Sequence, residues 1–439
     1  MEIRLDPQQG FIKNGKFDQR EALINAGVKA AVCFKEPKDG EVITPWDIRK
    51  ESENSLIVRG LNTIFSDHTT PTEHAHVGLE ITGIPKILCM ILNNEHQYTT
   101  CERSLRYTEV EPNDYLTSEE VENYNKWLDI FEKVITHNYS DFYEKHYGKD
   151  RVKPMIHKLA QENARYQVSV FMPTTLTYTV PFIQINKVCT YMNRVIEKPL
   201  NELEELLVPY FKEFIDKLRD LKVLITKNDL LELCDNDTYQ KLCKNNPRIN
   251  SLMNDDLLYV NNKSIDLSLF SERNNFSGID LPNQYGVNIS HNHFESFACL
   301  AQEHRHRTVD CEMKLLEDFK YYIPPIILNN PSLCLEWGSD MFKVKKSHPQ
   351  GQIVKVNTSG SLKNIINFVS KERCCDRAQC EIENLYANEI IPDIYENLEL
   401  TGQTQLQEEL KPYVKKLRCA YPTYNCPKKC GHPRLKRDL

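Results

Sequence analysis

Apolar and polar positions along the chain predict helices separated by a small number of strands. Residues 75–84 alternate roughly between apolar and polar side chains, which predicts a strand, and Pro85 is suited to start the helix predicted over 86–93. Apolar residues recur at helical spacing in 118–146, where Ser118 is the expected N-cap. The pattern therefore predicts a strand, a short helix and a long helix in this order.

Other segments add to the predicted elements. The runs at 30–34 and 55–61 are predicted as short strands, and the β-branched residues of 167–180 predict a further β-rich segment. Residues 197–221 predict an amphipathic helix, which Pro209 is expected to kink. Helices and strands therefore both contribute to the predicted fold.

The later part of the chain carries a basic triplet next to an apolar helix. Residues 222–285 are polar and rich in asparagine, and we interpret them as a linker together with the start of a second copy of the preceding motifs. A strand at 287–290 and a helix at 294–302 are predicted next, and Arg305–Arg307 follows that helix. Arginine forks suit phosphate and planar carboxylate, so the triplet is a candidate binding site facing a cleft. A solvated basic patch is the alternative interpretation.

Composition narrows the class of protein. The 62 acidic residues outnumber the 55 basic ones, giving a net charge of −7, so nucleic acid is not an expected partner. The 15 glycines are few, and neither GxGxxG nor GxxxxGK[ST] occurs. The longest apolar run is too short to cross a bilayer, and the N-terminus lacks an apolar signal core. We therefore expect a soluble cytoplasmic protein without a membrane partner, whose 15 cysteines are mostly reduced thiols.

Motifs in the first half resemble those of one enzyme family. Residues 68–74 read HTTPTEH, and GIPK and SLRY follow at 83–86 and 104–107. This order resembles the flavin-dependent thymidylate synthase family, with its pattern H-x-[ST]-P-x-E-H and then R-H-R-x-x-S-x-N-x-x-S-x-R-[YF]. Residues 94–96 read NEH where the pattern has R-H-R, so only the end of this motif is kept.

The second half carries the complementary part of the same motifs. Residues 302–307 contain Q-x-x-R-H-R, and residues 373–382 resemble R-x-x-x-x-A-Q-x-E-I. Lys320 stands where the family has the arginine of its A-R-x-x-L-P motif, which Arg165 supplies in the first half. We interpret this arrangement as an internal duplication. The predicted domains are a first copy at 1–225 with the E-x-S-x-R motif, a second copy at 226–415, and a cysteine-rich basic tail at 416–439.

The resemblance implies a fold, an assembly and an activity. The expected fold is α+β, with two diverged copies of the flavin-dependent thymidylate synthase fold, each a mixed or antiparallel sheet with helices, packed as a pseudo-dimer. Family members are tetramers with active sites built across subunits, so we expect one composite site between the copies and a homodimer. The implied reaction is FAD-dependent methylation of dUMP to dTMP, with methylenetetrahydrofolate and NADPH as co-substrates.

The resemblance also assigns roles to individual residues. The expected dUMP-binding residues are Glu102, Ser104, Leu105, Arg106, Arg165, Gln302, Arg305 and Arg373. The expected flavin-binding residues are His68, Thr70, Glu73, Glu102, Arg305, His306, Arg307 and Asn364. Ser104 and Arg373 are the expected catalytic residues, and Arg373 would polarise the pyrimidine carbonyls. Helix capping by Ser104 and structural ion pairs of Arg165 and Arg373 are the alternatives.

The tail has a separate pattern of possible metal ligands. Cys419, Cys426, Cys430 and His432 are zinc-ligand residue types, but their spacing matches no standard zinc motif. We therefore expect reduced thiols in a frayed tail and no metal, with zinc as the alternative.

Two further functions stay open beside dTMP synthesis. A related flavoenzyme could modify or hydroxymethylate another pyrimidine nucleotide. A catalytically inactive homologue could bind nucleotide or act as a scaffold.

Overall fold

Antiparallel sheets flanked by helices form the frame of the structure, which confirms the predicted α+β class. The computed structural model describes residues 1–8, 10–35, 43–66, 68–104, 110, 116–259, 267–270, 288–304, 308–365, 378–414, 418 and 421. These residues fall into two units: Met1–Glu102 with Pro173–Leu267, and Arg103–Met172 with the described residues from Ser268 onward. The domain boundaries predicted at 225 and 415 concern the duplication and stay predictions.

The first unit contains a four-stranded antiparallel sheet and a small hairpin. The strands are β1 (Glu2–Leu5), β2 (Ile12–Lys13), β3 (Lys16–Phe17), β4 (His76–Pro85), β5 (Thr99–Glu102) and β6 (Pro173–Pro181). The sheet order is β1-β4-β6-β5, and β2 pairs with β3. Strand β4 confirms the prediction for 75–84, whereas the β-rich segment predicted over 167–180 is a strand only from Pro173 onward.

Helices cover the rest of the first unit. They are Gln19–Phe34, Pro45–Ile48, Glu53–Phe65, Thr70–Glu73, Lys86–Asn94, Phe182–Glu197, Glu202–Asp220, Lys227–Leu233, Asn236–Asn245 and Arg248–Ser251. The helices predicted over 86–93 and 197–221 are thus confirmed. The segment interpreted as a linker is largely helical up to residue 251, so that interpretation is wrong for this part.

The strands predicted at 30–34 and 55–61 are also wrong, because both segments lie in helices. Asp18 accepts a hydrogen bond from the backbone of the first turn of Gln19–Phe34, and Ser52 does the same for Glu53–Phe65. The two helices approach closely at Gly27, where an added Cβ would lie 2.0 Å from a backbone oxygen of the other helix. Capping and helix packing therefore outweigh the β-branched content of these short runs.

The second unit contains a three-stranded antiparallel sheet. Its strands are β7 (Asn288–Ser296), β8 (Asp310–Lys314) and β9 (Ile353–Ser361), in the order β7-β9-β8. The helix predicted from residue 294 begins only at Phe297, because β7 continues to Ser296. The Ser296 hydroxyl then caps the helix by accepting the backbone N–H of Cys299 at 3.1 Å.

A long helical hairpin packs in the second unit. The helices of this unit are Ser118–Tyr147, Lys149–Ala164, Phe297–Glu303, Pro331–Lys343, Cys380–Leu385, Ile391–Leu400 and Thr404–Leu410, with a π-helical turn at Tyr386–Ile390. Short 3-10 turns occur at Arg165–Gln167, Pro325–Ile327, Lys345–Ser347 and Lys411–Tyr413. Thr117, not the predicted Ser118, is the N-cap of the long helix and forms a capping box with Glu120. Among the described helices, none is both long and apolar enough to cross a membrane.

The two sheets share one topology. In each, a long strand leads directly into a helix, a short strand follows, and a third strand pairs between the first two. Pro85 opposes Pro173 at one end of β4 and β6, and Ser296 opposes Ile353 at the matching end of β7 and β9. Strand β4 is one residue longer than β7 because the register shifts at Gly83, whose φ is +70°. Phe297 lies 211 residues after Lys86, and the same spacing relates β8 to β5.

The segments that precede β6 and β9 also correspond, and they pair with each other. The 3-10 turns Arg165–Gln167 and Lys345–Ser347 lie 180 residues apart, as β6 and β9 do. The N–H of Val170 donates to the carbonyl of His348 at 2.9 Å, and the N–H of Gln350 donates to the carbonyl of Val168 at 2.7 Å. Each residue of one bond lies 180 positions from its counterpart in the other, so the pairing has local two-fold symmetry.

Candidate functional site

A buried arginine begins the polar network of the second unit. Arg165 follows the helix Lys149–Ala164, and the turn that begins there buries its side chain. Its Nη2 donates to the side-chain oxygen of Gln379 at 2.5 Å. The amide nitrogen of Gln379 donates to the hydroxyl of Tyr166, which in turn donates to Glu381 at 2.8 Å. The guanidinium is therefore positioned through neutral groups that lead to a buried carboxylate.

The carboxylate of Glu381 collects several donors. The backbone N–H of Ser296 donates to it at 2.8 Å and the Ser296 hydroxyl at 2.6 Å. Burial raises the pKa of Glu381, although the hydrogen bonds from Ser296 and Tyr166 oppose the rise. Because Ser296 also caps Phe297–Glu303, the network from Arg165 ends at the helix that precedes the basic triplet.

Residues 19–215 match the family described as thymidylate synthase complementing protein, a flavin-dependent family. Over this stretch, which is less than half of the chain, the sequence is similar to that family. No curated protein matches the chain in sequence. The predicted resemblance is thus confirmed for the first half, and the match ends before the proposed second copy.

The family domain supplies Arg165, and the C-terminal half supplies Gln379 and Glu381. The sequence predicted that Arg165 and Arg373 belong to one functional site. Arg373 lies outside the described residues, and the observed contact of Arg165 is with Gln379, six residues further along. Tyr166 and Ser296 complete this network and were not predicted. The sequence indicates these two residues only by their positions, because Tyr166 directly follows Arg165 and Ser296 directly precedes the apolar helix.

The position equivalent to Arg165 is not the predicted Lys320. The 3-10 turn Lys345–Ser347 places Lys345 at this position, directly before the segment that pairs with 168–170. Lys345 is exposed, whereas Arg165 is buried. Only one of the two equivalent positions therefore presents a buried cation.

The predicted site residues of the first unit lie in two different environments. The carboxylate of Glu102 is buried and forms an ion pair with Lys86, which is the lysine of the GIPK motif. His68 and Thr70 are exposed beside the short helix Thr70–Glu73. Glu73 accepts a hydrogen bond from Thr69 at 3.2 Å, and Lys187 donates to the same threonine hydroxyl at 3.2 Å.

The remaining predicted residues lie in or near other parts of the second unit. Gln302 is buried on the helix Phe297–Glu303, and Ser104 is half-buried. Asn364 is half-buried, and its backbone N–H donates to the Ser361 hydroxyl at 3.2 Å. The predicted residues that lie outside the described part of the chain are Leu105, Arg106, Arg305, His306, Arg307, Arg373, Cys419, Cys426, Cys430 and His432.

A second polar cluster in the second unit was not predicted. His293, Glu295 and Glu303 are buried, and their side-chain ligand atoms lie within 4.8 Å of one another. Burial raises the pKa of Glu295 to about 8, and burial together with the charge of Glu295 raises the pKa of Glu303 to about 8. Burial also lowers the pKa of His293. The residue types are those of a metal site.

Proposed function

We propose that the chain is a flavin-dependent thymidylate synthase that methylates dUMP to dTMP. Methylenetetrahydrofolate is the carbon donor and NADPH the source of electrons. The family domain at 19–215 supports this proposal, and the contact of Arg165 with Gln379 is the observation that carries it. Bound FAD supplies the redox chemistry of the reaction.

The surroundings of Arg165 suit a nucleotide phosphate. The guanidinium is buried and donates to the neutral amide of Gln379, which also contacts the Tyr166 hydroxyl and, at 3.4 Å, the Glu381 carboxylate. A buried arginine held in this way binds a phosphate dianion through charge-assisted hydrogen bonds. Ser104 and Arg106 add a hydroxyl and a second guanidinium to the phosphate in this proposal, while Gln302 and Arg305 reach the nucleotide from the other copy.

The reacting end of dUMP is assigned to Arg373. Its guanidinium polarises the pyrimidine carbonyls and stabilises the negative charge that develops on the ring. No side-chain nucleophile is needed in this scheme, because the cofactor carries the difficult chemistry.

The polar groups around residues 68–73 fit the diphosphate of FAD. Exposed His68 and Thr70 lie next to Thr69, whose hydroxyl contacts the Lys187 ammonium at 3.2 Å. Hydroxyl and cationic donors are what a diphosphate requires. In the proposal Glu73, Glu102, Asn364 and the basic triplet complete the flavin-binding set.

We further propose that duplication produced one retained site and one decayed site per chain. The shared sheet topology and the reciprocal bonds between 168–170 and 348–350 support a pseudo-dimer within one chain. The exposure of Lys345 beside the burial of Arg165 supports the loss of one site. Two such chains would form a homodimer equivalent to the family tetramer.

Tritium release from 5-tritiated dUMP tests the activity on the full chain. We expect release that requires FAD, methylenetetrahydrofolate and NADPH together. Arg165→Ala should lower kcat/KM by about 100-fold or more, because truncating a buried charged partner costs about 2–5 kcal/mol. The matched control Lys345→Ala, at the equivalent exposed position, should stay within about 2-fold of the unmodified chain.

Two results would contradict the proposal. A protein that shows no bound-flavin absorbance after incubation with FAD is not a flavoenzyme. Equal losses for Arg165→Ala and Lys345→Ala would remove Arg165 from the site.

A mixing experiment tests the composite site. Arg106→Ala and Arg305→Ala should each abolish dUMP binding, and a mixture of the two variants should remain inactive if both residues serve one site within one chain. Recovery of activity in the mixture would place the two halves of the site on different chains.

A further inference from the structure

Three side chains of metal-binding type converge in the second unit. His293 and Glu295 are two residues apart and therefore lie on the same face of β7. Glu303 is the last residue of the helix that follows this strand. The relevant nitrogen and oxygen atoms lie within 4.8 Å of one another, and all three residues are buried.

Two of these groups make no hydrogen bond of ordinary geometry among the described residues, although the Cys299 thiol and the Glu303 carboxyl lie close enough to Glu295 to interact with it. The two groups are His293 Nε2 and both carboxylate oxygens of Glu295, whose side chains are 1% and 0% exposed. His293 Nε2 and Glu295 Oε1 lie 3.7 Å apart. A buried polar group without a hydrogen-bond partner destabilises the folded state, and a shared ligand would remove this cost.

Glu303 is held in a fixed orientation by three donors. Its Oε1 accepts the Tyr386 hydroxyl at 2.6 Å, and its Oε2 accepts the Thr358 hydroxyl at 3.2 Å and the Cys311 thiol at 3.5 Å. The hydrogen bonds from Tyr386 and Cys311 favour the charged form and oppose, without cancelling, the rise that burial causes in the pKa of Glu303. Such outer hydrogen bonds are typical of carboxylates that bind metal ions.

A chain of imidazoles leads from His293 towards the surface. His293 Nδ1 lies 3.5 Å from Nδ1 of His291, and His291 Nε2 lies 3.2 Å from Asp393. If His291 donates to Asp393, its Nδ1 accepts the proton of His293 Nδ1. The lone pair of His293 then resides on Nε2, the nitrogen that faces Glu295, as a metal ligand requires.

The fold itself does not need these polar side chains. The positions equivalent to Glu295 and Glu303 in the first unit hold Ile84 and Leu92, which are fully buried. Strand pairing places the buried Ile81 at the position of His293, because Leu176 and Val356 are their matching partners in β6 and β9. An apolar solution of the same packing problem therefore exists in the same chain.

We propose that His293, Glu295 and Glu303 bind one divalent transition-metal ion, with zinc as its representative. One imidazole and two carboxylates suit zinc, whereas magnesium and calcium prefer oxygen ligands alone. Two carboxylates offset the charge of the ion. The ion joins β7 to the helix Phe297–Glu303, so its role is structural and does not depend on the proposed synthase activity.

Elemental analysis of the full chain tests this site. The protein is expressed without a polyhistidine tag in zinc-supplemented medium, gel-filtered, and analysed by mass spectrometry of its metals. We expect about one zinc ion per chain, lost in Glu295→Ile and in the nearly isosteric Glu303→Gln. A chelator should lower the Tm of the unmodified chain and leave the Tm of Glu295→Ile unchanged.

A variant of the tail separates the two possible sources of zinc. Cys426→Ser combined with Cys430→Ser should retain the ion if His293, Glu295 and Glu303 bind it. The proposal is wrong if the unmodified chain contains no zinc and takes up none on refolding with zinc chloride. It is also wrong if the ion stays in both glutamate variants.

Discussion

The matching strand–helix–strand segments of the two units bury polar groups at different positions. In the first unit, Lys86 begins the helix after β4 and forms a buried ion pair with Glu102 on β5. At the equivalent positions the second unit has Phe297 and Met313, both buried and apolar. The first unit therefore uses charge where the second uses packing.

The reverse holds two residues before and six residues after the first residue of this helix. The second unit buries Glu295 and Glu303 where the first has Ile84 and Leu92. Since both segments form the same strands and helix, the backbone arrangement does not dictate where charge is buried. Buried ion pairs are often replaceable by apolar side chains without loss of stability, which explains how the two patterns could exchange.

The largest effect is expected from moving a carboxylate into the first unit. Ile84→Glu buries a carboxylate at the position equivalent to Glu295. Its described neighbours include no counterpart of His293 and none of the hydrogen-bond donors that hold Glu303. We expect a loss of about 3–5 kcal/mol in the free energy of unfolding, the cost of an uncompensated buried charge. Chemical denaturation measures it, with Thr82→Glu on the exposed face of the same strand as control. A loss equal to that of the control would mean that a carboxylate at residue 84 can reach solvent, and it would contradict the prediction.

The ion pair of the first unit gives the next largest effect. Lys86→Met alone, or Glu102→Met alone, should cost about 3 kcal/mol, because each leaves one buried charge without its partner. The double variant should recover to within about 1 kcal/mol, since the second unit shows that apolar residues fill these positions. A double-mutant cycle by denaturation measures the coupling, and additive losses would contradict the comparison.

A smaller and pH-dependent effect is expected at Asp340. Asp340 lies in the helix Pro331–Lys343, which precedes the 3-10 turn Lys345–Ser347. The residue 180 positions earlier, in the helix before the turn Arg165–Gln167, is the buried Ala160. Burial raises the pKa of Asp340, but hydrogen bonds from Lys126 at 2.6 Å, from Lys343 at 2.7 Å and from Trp127 at 3.0 Å outweigh it and lower the pKa overall.

Asp340→Asn should therefore cost about 1–2 kcal/mol at neutral pH, because the lysines are partly exposed and screened. A lowered pKa contributes stability above the unfolded-state value of about 3.9, and this contribution disappears as the pH falls through the folded-state value. Denaturation of both proteins between neutral and acidic pH should show the difference shrinking below about pH 3.9. A constant difference would indicate that charge is not involved.

The smallest effect is expected for Glu295→Ile in metal-free protein. The carboxylate makes no hydrogen bond of ordinary geometry among the described residues, and isoleucine is the residue of the first unit at this position. We expect a change within about 1 kcal/mol in either direction. Denaturation after chelator treatment measures it, and a loss as large as that of Lys86→Met would show that Glu295 stabilises the fold without an ion.

Sequence patterns predicted the elements whose boundaries have a local cause. Pro85 ends one strand and starts a helix, and both are found where predicted. The runs at 30–34 and 55–61 were assigned to strands from their own composition, whereas capping by Asp18 and Ser52 lies outside these windows. Extending the window to the cap would have corrected both.

The candidate site divides in the same way. Family motifs predicted that Arg165 and Arg373 share a site, which stays a prediction, and the contact of Arg165 with Gln379 was not itself predicted. The cluster around Glu295 was not predicted. In HNHFES the polar residues His293 and Glu295 alternate with Phe294, a pattern that suggests a solvent-facing side for the polar residues. Only the pairing of β7 with β9 reveals that this side is buried.

The two-fold pairing at 168–170 and 348–350 has a consequence for how this chain can change. At its centre Ser169 opposes Pro349, and the Ser169 N–H donates to Glu120 at 2.8 Å. On the axis of a true homodimer, every residue meets its own copy, and each new mutation appears twice at once. Here the axis joins two different stretches of one polypeptide, so a substitution enters on one side only. Each side is free to adapt while the other keeps its original chemistry.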